Sequence, residues 1–203
     1  MIIKTFIEPP IENNNYLIID ENSKEAALID CSGYVLENIK PVLEENGALL
    51  KYILLTHGHF DHITGLDVEH EAEVYMHSAD MEWVENLNQY LPMMGMPPME
   101  IPKIDKNIND GDILKLGDKE IRVIHTPGHT QGGVCFLIED KLFAGDTIFR
   151  ESIGRCDLSG GDFDQIIQSI ENKIFTLPEN TTIYSGHGPK TTVLWEKEHN
   201  SYF

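Results

Sequence analysis

Residues 56–62 read Thr56-His57-Gly58-His59-Phe60-Asp61-His62, directly after the apolar run Tyr52-Ile53-Leu54-Leu55. Three imidazoles and a carboxylate at the mouth of a strand can surround a metal, and few other purposes account for such a cluster. In an extended chain, side chains two apart point the same way. The pattern therefore predicts that His57, His59 and Asp61 converge on one point while His62 faces another. That arrangement suits two adjacent metals better than one.

Three more polar residues follow apolar strands in glycine-rich surroundings, where side chains can gather at one edge of a sheet. They are His129 in His125-Thr126-Pro127-Gly128-His129, Asp146 in Phe143-Ala144-Gly145-Asp146, and His187 in Ser185-Gly186-His187-Gly188. Together with the first cluster they give five histidines and two aspartates. Imidazole with carboxylate suits Zn²⁺, Fe or Mn, and the lack of Cys donors argues against a soft site. Seven donors are too many for one tetrahedral ion. They match two divalent ions, with one carboxylate bridging and positions left for water. A structural zinc site would be closed, usually four-coordinate and rich in Cys.

The rest of the chain bounds the partners. A length of 203 residues with 41% apolar content predicts one domain, residues 1–203, with a sizeable core. A net charge of −19 disfavours a nucleic-acid partner, whose affinity rests on Lys and Arg, and anionic membranes for the same reason. No apolar run approaches the roughly 20 residues of a membrane span. The first residues lack a long apolar stretch and a small-residue cleavage site, which argues against a secretory signal. Three widely spaced cysteines, Cys31, Cys135 and Cys156, read as reduced thiols of a cytoplasmic protein.

Apolar runs and turn signals predict strands at 2–7, 16–20, 26–30, 51–55, 74–76, 112–116, 120–125, 134–138, 141–145 and 182–184. Val35–Asn46 has helical spacing and stops at Gly47. Ser78 reads as the cap of helix 79–86, Asp162 as the cap of helix 163–173, and Thr191 or Thr192 as the start of a last helix. Segment 87–110 carries Pro92, Pro97, Pro98 and Pro102 among Met93, Met94, Met96 and Met99. Prolines this dense forbid a long helix, and thioethers suit an adaptable apolar surface. The segment reads as a loop packed on the core, with a lid or a dimer contact as alternatives. Two strand-rich halves with helices suggest two sheets packed face to face with helices outside.

The run His57-Gly58-His59-Phe60-Asp61-His62, with His129, Asp146 and His187 in order, resembles the metallo-β-lactamase superfamily across about residues 15–190. The resemblance implies an α/β fold, a four-layer αββα sandwich with a dinuclear site on one edge. It implies that His57, His59 and His129 bind the first metal, that Asp61, His62 and His187 bind the second, and that Asp146 bridges. Many true β-lactamases of that superfamily use a Cys ligand; Asp146 takes its place here. The stretch from Asp146 to Asp162 and the ending Gly186-His187-Gly188-Pro189-Lys190-Thr191-Thr192 resemble the glyoxalase II group, hydroxyacylglutathione hydrolases, and especially its short bacterial members. Long members carry a C-terminal helical region that helps hold glutathione, and this chain ends at Phe203 without it. Arg155 sits where the group places a basic glutathione contact, and Asp157 stands near the place of its tyrosine.

The resemblance implies hydrolysis of a small thioester such as S-lactoylglutathione by water activated between two ions, Zn²⁺ before Fe or Mn. Asp61 would both ligate and orient the nucleophile. Its nearest rival is a persulfide dioxygenase of the same superfamily, which the run Asp61-His62-Ile63-Thr64-Gly65 resembles. That reading implies a single iron on His57, His129 and Asp146. A lactonase or esterase shares every ligand. His125, four residues before His129, reads as a residue behind the ligands or in the turn. His70, His77 and His199 read as surface residues and Cys156 as a small buried thiol. Arg150 and Arg155, two of only three arginines, could meet a substrate carboxylate or pair with an acid.

Overall fold

Strands buried on both faces must put apolar side chains both ways, and the pattern of this chain does so. The computed structural model describes residues 1–9 and 11–203. The first sheet holds β1 (Ile2–Glu8), β2 (Asn13–Ile19), β3 (Glu25–Ile29), β4 (Leu49–Leu54), β5 (Glu73–Met76) and β6 (Lys106–Asn107), in that spatial order. β1 to β3 pair antiparallel, and β3 to β6 run parallel. The second half supplies β7 (Ile113–Leu116), β8 (Lys119–His125), β9 (Val134–Ile138) and β10 (Lys141–Gly145). A small hairpin of β11 (Ile148–Phe149) and β12 (Ser152–Ile153) follows, then β13 (Thr182–Ser185) and β14 (Thr191–Thr192). Their sheet has the order β14-β13-β10-β9-β8-β7.

Alternate residues of these strands enter different cores. Tyr16, Ile18, Ala27, Ile29, Tyr52 and Leu54 face Ile121, Val123, Phe136 and Phe143 between the sheets. Their neighbours Leu17, Ile19, Leu28 and Ile53 turn outward. There they meet α1 (Val35–Asn46) through Val35, Leu36 and Ile39. The same layer receives the single turn α2 (Phe60–Ile63), and α3 (Met81–Glu85) and α4 (Leu87–Tyr90) through Val84 and Leu87. On the far side, Ile124, Leu142, Ala144 and Ile183 pack on Ile166, Ile170 and Val193 of α5 (Phe163–Ser169), its extension and α6 (Val193–His199). Helices, two sheets and helices make the expected four-layer αββα sandwich. Phe136 and Phe143, fully buried between the sheets, are each worth about 3 kcal/mol of transfer free energy.

α1 ends as expected, on Gly47 at φ +59°, whose N–H reaches back to Glu44. Asp162 caps α5 through the N–H of Gln165, and Thr192 caps α6 through that of Trp195. Several elements differ from the pattern. β2 begins at Asn13, because Asn13, Asn14 and Asn15 pair with Glu8, Ile7 and Phe6 of β1 and their buried side chains find partners, Asn13 at His62, Asn14 at the Ser185 and Gly188 carbonyls and Asn15 at Ser32. A 3-10 turn, Ser78–Asp80, precedes α3, and its cap is the His77 side chain, not Ser78. Helix 163–173 changes after Ser169 into a wider turn over Ile170–Ile174. Within 87–110, α4, a 3-10 turn at Leu91–Met94 and β6 are regular; Met96 and Met99 pack on the core while Met93 and Met94 stay exposed. Among the described residues no helix is long and apolar enough to cross a membrane.

Candidate metal centre

β4 and the following residues deliver His57 and His59 in extended chain, and α2 then begins at Phe60. That one helical turn overturns the expected convergence of His57, His59 and Asp61. Period two ends at His59, and the turn swings Asp61 and His62 together toward a second point. Two outer groups of three result, His57, His59 and His129, and Asp61, His62 and His187, and a third group of His57, His62 and Asp146 overlaps both. His129 arrives from the turn after β8, Asp146 from the end of β10 and His187 from the end of β13.

In the first group, His57 Nε2, His59 Nδ1 and His129 Nε2 face one another at 3.1, 2.9 and 3.2 Å. In the second, Asp61 Oδ2 lies 3.2 Å from His187 Nε2 and 3.4 Å from His62 Nε2. Asp146 stands between them. Its Oδ2 is 3.6 Å from His129 Nε2 and 3.7 Å from His187 Nε2, and its Oδ1 is 3.4 Å from His62 Nε2. A tetrahedral ion with bonds near 2.0–2.1 Å holds its donors about 3.3 Å apart, so these spacings fit coordination edges. Asp146 Oδ1 is buried and has no hydrogen-bond partner among the described residues. Gly186 makes room for it: a Cβ there would collide with Asp146 Oδ1. Buried carboxylate oxygens and imidazole nitrogens converge here with too few protons to satisfy them, and a divalent pair would meet that need.

Electrostatics separate the two groups. Burial, then the neighbouring imidazoles, keeps His57 well below the usual imidazole range, and burial with His129 brings His59 to about 3. Both are neutral and ready to ligate. Burial also opposes charge on His62, but Asp30, Asp61 and Asp146 outweigh it and raise its pKa. His187 is likewise raised, burial being overcome by Asp61 and Asp146. Asp61 and Asp146 are lowered, because the imidazoles around them outweigh the cost of burial.

A second ring of groups aims the first. Asp30, buried at the end of β3 with φ +60°, receives the N–H and hydroxyl of Thr56 and lies 2.8 Å from His62 Nδ1. The Thr56 hydroxyl is in turn 3.1 Å from His57 Nδ1, so one carboxylate orients a histidine of each group. The Arg155 carbonyl, 2.8 Å from His129 Nδ1, fixes that ring with Nε2 toward the centre. Asp80 is fully buried and accepts from Gly58 N, Thr130 Oγ1 and Gly132 N, tying the His57–His59 loop to the His129 loop. Asn14 donates to the carbonyls of Ser185 and Gly188, and its N–H to that of Gly186, which pins the His187 loop to β2. The Asn13 amide lies 2.8 Å from His62 Nε2. These groups escaped the sequence reading. Asp30 had a signal, a lone acid closing the apolar run Ala26–Ile29, and so had three asparagines before a strand. Asp80 looks like any acid in a first helical turn.

The other singled-out residues fall as follows. His125 stays outside both groups, with Nε2 2.9 Å from the Gln131 carbonyl and its ring stacked on His77 at 4.4 Å. His70 meets the Ala72 carbonyl, and His199 stacks on Trp195. The Arg155 guanidinium makes a bidentate pair with Asp157 at 2.7 and 2.9 Å, and Arg150 lies over the Trp195 ring. Cys156 is half-buried, and burial raises its thiol pKa.

An αββα sandwich with a paired His/Asp centre at its edge is the architecture of metal-dependent hydrolases. The chain belongs to the metallo-beta-lactamase superfamily, whose family model matches residues 9–187. It is 36% identical to the probable metallo-hydrolase YqgX of Bacillus subtilis over 95% of this chain and 93% of that one. It is 34% identical to the hydroxyacylglutathione hydrolase GloC of Haemophilus influenzae over 93% and 92%. Among solved structures, the B3 metallo-beta-lactamase BLEG-1 superposes with a TM-score of 0.89 at 36% identity, covering 99% of each chain. TTHA1623 in a di-iron-bound form gives 0.83 at 29%, covering 100% of each. ETHE1 from Myxococcus xanthus gives 0.81 at 26%, covering 99% of this chain and 84% of that one. The chain is thus a metallo-hydrolase by family, and its His/Asp cluster suits a divalent metal pair.

Proposed function

We propose that this chain is a two-metal thioester hydrolase of the hydroxyacylglutathione type. The observation that carries the reading is Asp146, whose two oxygens face His129 and His62 across the two donor groups. In this reading His57, His59 and His129 hold one ion, Asp61, His62 and His187 the other, and Asp146 both. Such a pair, with zinc the first expectation, supplies water activated at neutral pH and polarises a carbonyl. Asp61, whose Oδ2 lies 3.4 Å from His62 Nε2 and 3.2 Å from His187 Nε2, would orient that water. Asp30 and the Arg155 carbonyl keep His62 and His129 from turning. A thiol leaving group, with a pKa near 8.5, needs little acid help. The likeness to GloC supports a hydroxyacylglutathione substrate.

The likeness to ETHE1 favours a second reading, a persulfide dioxygenase with one iron on His57, His129 and Asp146. The formed group of Asp61, His62 and His187 favours the hydrolase. Protein of measured metal content decides between them, assayed with S-lactoylglutathione, thioesters of other thiols, a lactone and a β-lactam, and for oxygen uptake with a persulfide. We expect about two metals per chain and thioester turnover. One iron with oxygen uptake, or turnover of only the lactone or β-lactam, would overturn the reading.

A further inference from the structure

The two sides of the centre differ in what they offer a substrate. On the first group's side, the Trp83 ring meets His59 at 4.4 Å between centroids and an interplanar angle of 85°. Tyr90 meets Trp83 at 4.9 Å. Trp83 is in α3 and Tyr90 closes α4, seven residues on, so both lie on one face of the helical stretch. The 3-10 turn that follows brings Met93 and Met94, three and four residues past Tyr90, with 79% and 55% of their surface exposed. Val84, Leu87 and Leu91 face the core from the same stretch, so the helical turns are anchored while this row stays partly open. Glu82 and Glu85 flank the row and are exposed. An apolar strip that begins at a metal-facing histidine and is bordered by carboxylates attracts hydrocarbon and repels anions.

The opposite side has no such strip and carries mixed charge, with Arg150 paired to Glu151 at 3.6 Å. Phe149 lies 6.1 Å from the His187 ring, and Arg150 follows it in the hairpin. Lys190, three residues past His187, stands over Tyr184. We propose that the strip of Trp83 and Tyr90, with Met94 next along the chain, is an acyl-chain subsite, and that the thioester substrates include acyl groups extended by a hydrocarbon chain. The proposal rests on the thioester reading for its chemistry and on the aromatic strip for its specificity. Each methylene laid on the strip is worth about a three- to four-fold gain.

The test has two arms on metal-loaded protein. In the first, kcat/KM is measured for acetyl-, butanoyl-, hexanoyl- and lactoylglutathione. We expect a rise of about three- to four-fold per methylene up to hexanoyl, with the slope flattened in Tyr90→Ser/Met94→Ser. In the second, inert S-methyl- and S-hexylglutathione are titrated against a Trp195→Phe variant, in which Trp83 is the remaining tryptophan. The hexyl thioether should quench Trp83 and bind at least about tenfold tighter, and in calorimetric titrations Trp83→Ser should abolish that preference without loss of bound metal. Thioester turnover with no chain-length dependence in either arm would sink the subsite and leave the hydrolase. Chain-length-dependent binding without any thioester turnover would sink the hydrolase and leave the subsite.

Discussion

The two donor groups of this centre are built differently. His57, His59 and His129 are three buried imidazoles, the first two with depressed basicity, on two loops that Asp80 ties together. Asp61, His62 and His187 mix a carboxylate with two imidazoles of raised basicity, and they join residues 126 apart in sequence. His187 is the most open of them, with 26% of its side chain exposed. Desolvation governs the first group and charge pairing the second. The first is ready for metal at any ordinary pH, while the second must release protons to accept it.

Asp146 is the one side chain the groups share, so its loss should erase the contrast. We expect Asp146→Ala to lower activity by about 10³-fold or more and to deplete both metals together, read by metal analysis beside kcat/KM. Full metal content with full rate would refute the shared centre. Asp80→Ala should strike the first group alone. It strands three buried donors, which costs about 3 kcal/mol and lowers Tm by on the order of 10 °C. Calorimetry with and without metal measures this, and an unchanged Tm would show that the loops do not depend on Asp80.

Asp30→Asn should weaken both groups, because Asp30 reaches His62 directly and His57 through Thr56. We expect about a 10- to 100-fold loss of metal affinity at each, measured by competition with a chelator. Loss confined to one group would show that the Thr56 link carries nothing. The mildest effect is that of pH. Groups with raised pKa values hold their protons to higher pH, so metal binding to His62 and His187 weakens first as pH falls. The expected loss is about tenfold per pH unit for each proton displaced. Metal content followed from pH 8 to 5 should show one ion leaving before the other. His187→Ala should remove the ion that leaves first, and simultaneous release would sink the distinction.

Much of this was legible because the residues advertise it. Continuous apolar runs between turn signals announced the strands, since β2 and β3 bury both faces. Asp162, Thr192 and Gly47 announced helix ends through local hydrogen bonding that needs no distant partner. The seven donors stood out because imidazole and carboxylate after apolar strands have few bland explanations. Asp80 was silent, as its role exists only where three separate loops meet. The strand start at Asn13 was silent because the side-chain partners of Asn13 and Asn14 lie far along the chain, at His62, Ser185 and Gly188.

By itself the sequence determined which side chains could meet a metal and where most strands would lie, because donor chemistry and apolar runs are properties of short segments. Only the tertiary structure decided how the donors divide. One turn of helix at Phe60–Ile63 groups Asp61 with His62 and His187 while the His62 ring stays 4.0 Å from that of His57, and the packing of two sheets brings His129, Asp146 and His187 to meet them. Which donors share a point depends on backbone geometry summed over the whole sandwich, and no local spacing records that sum.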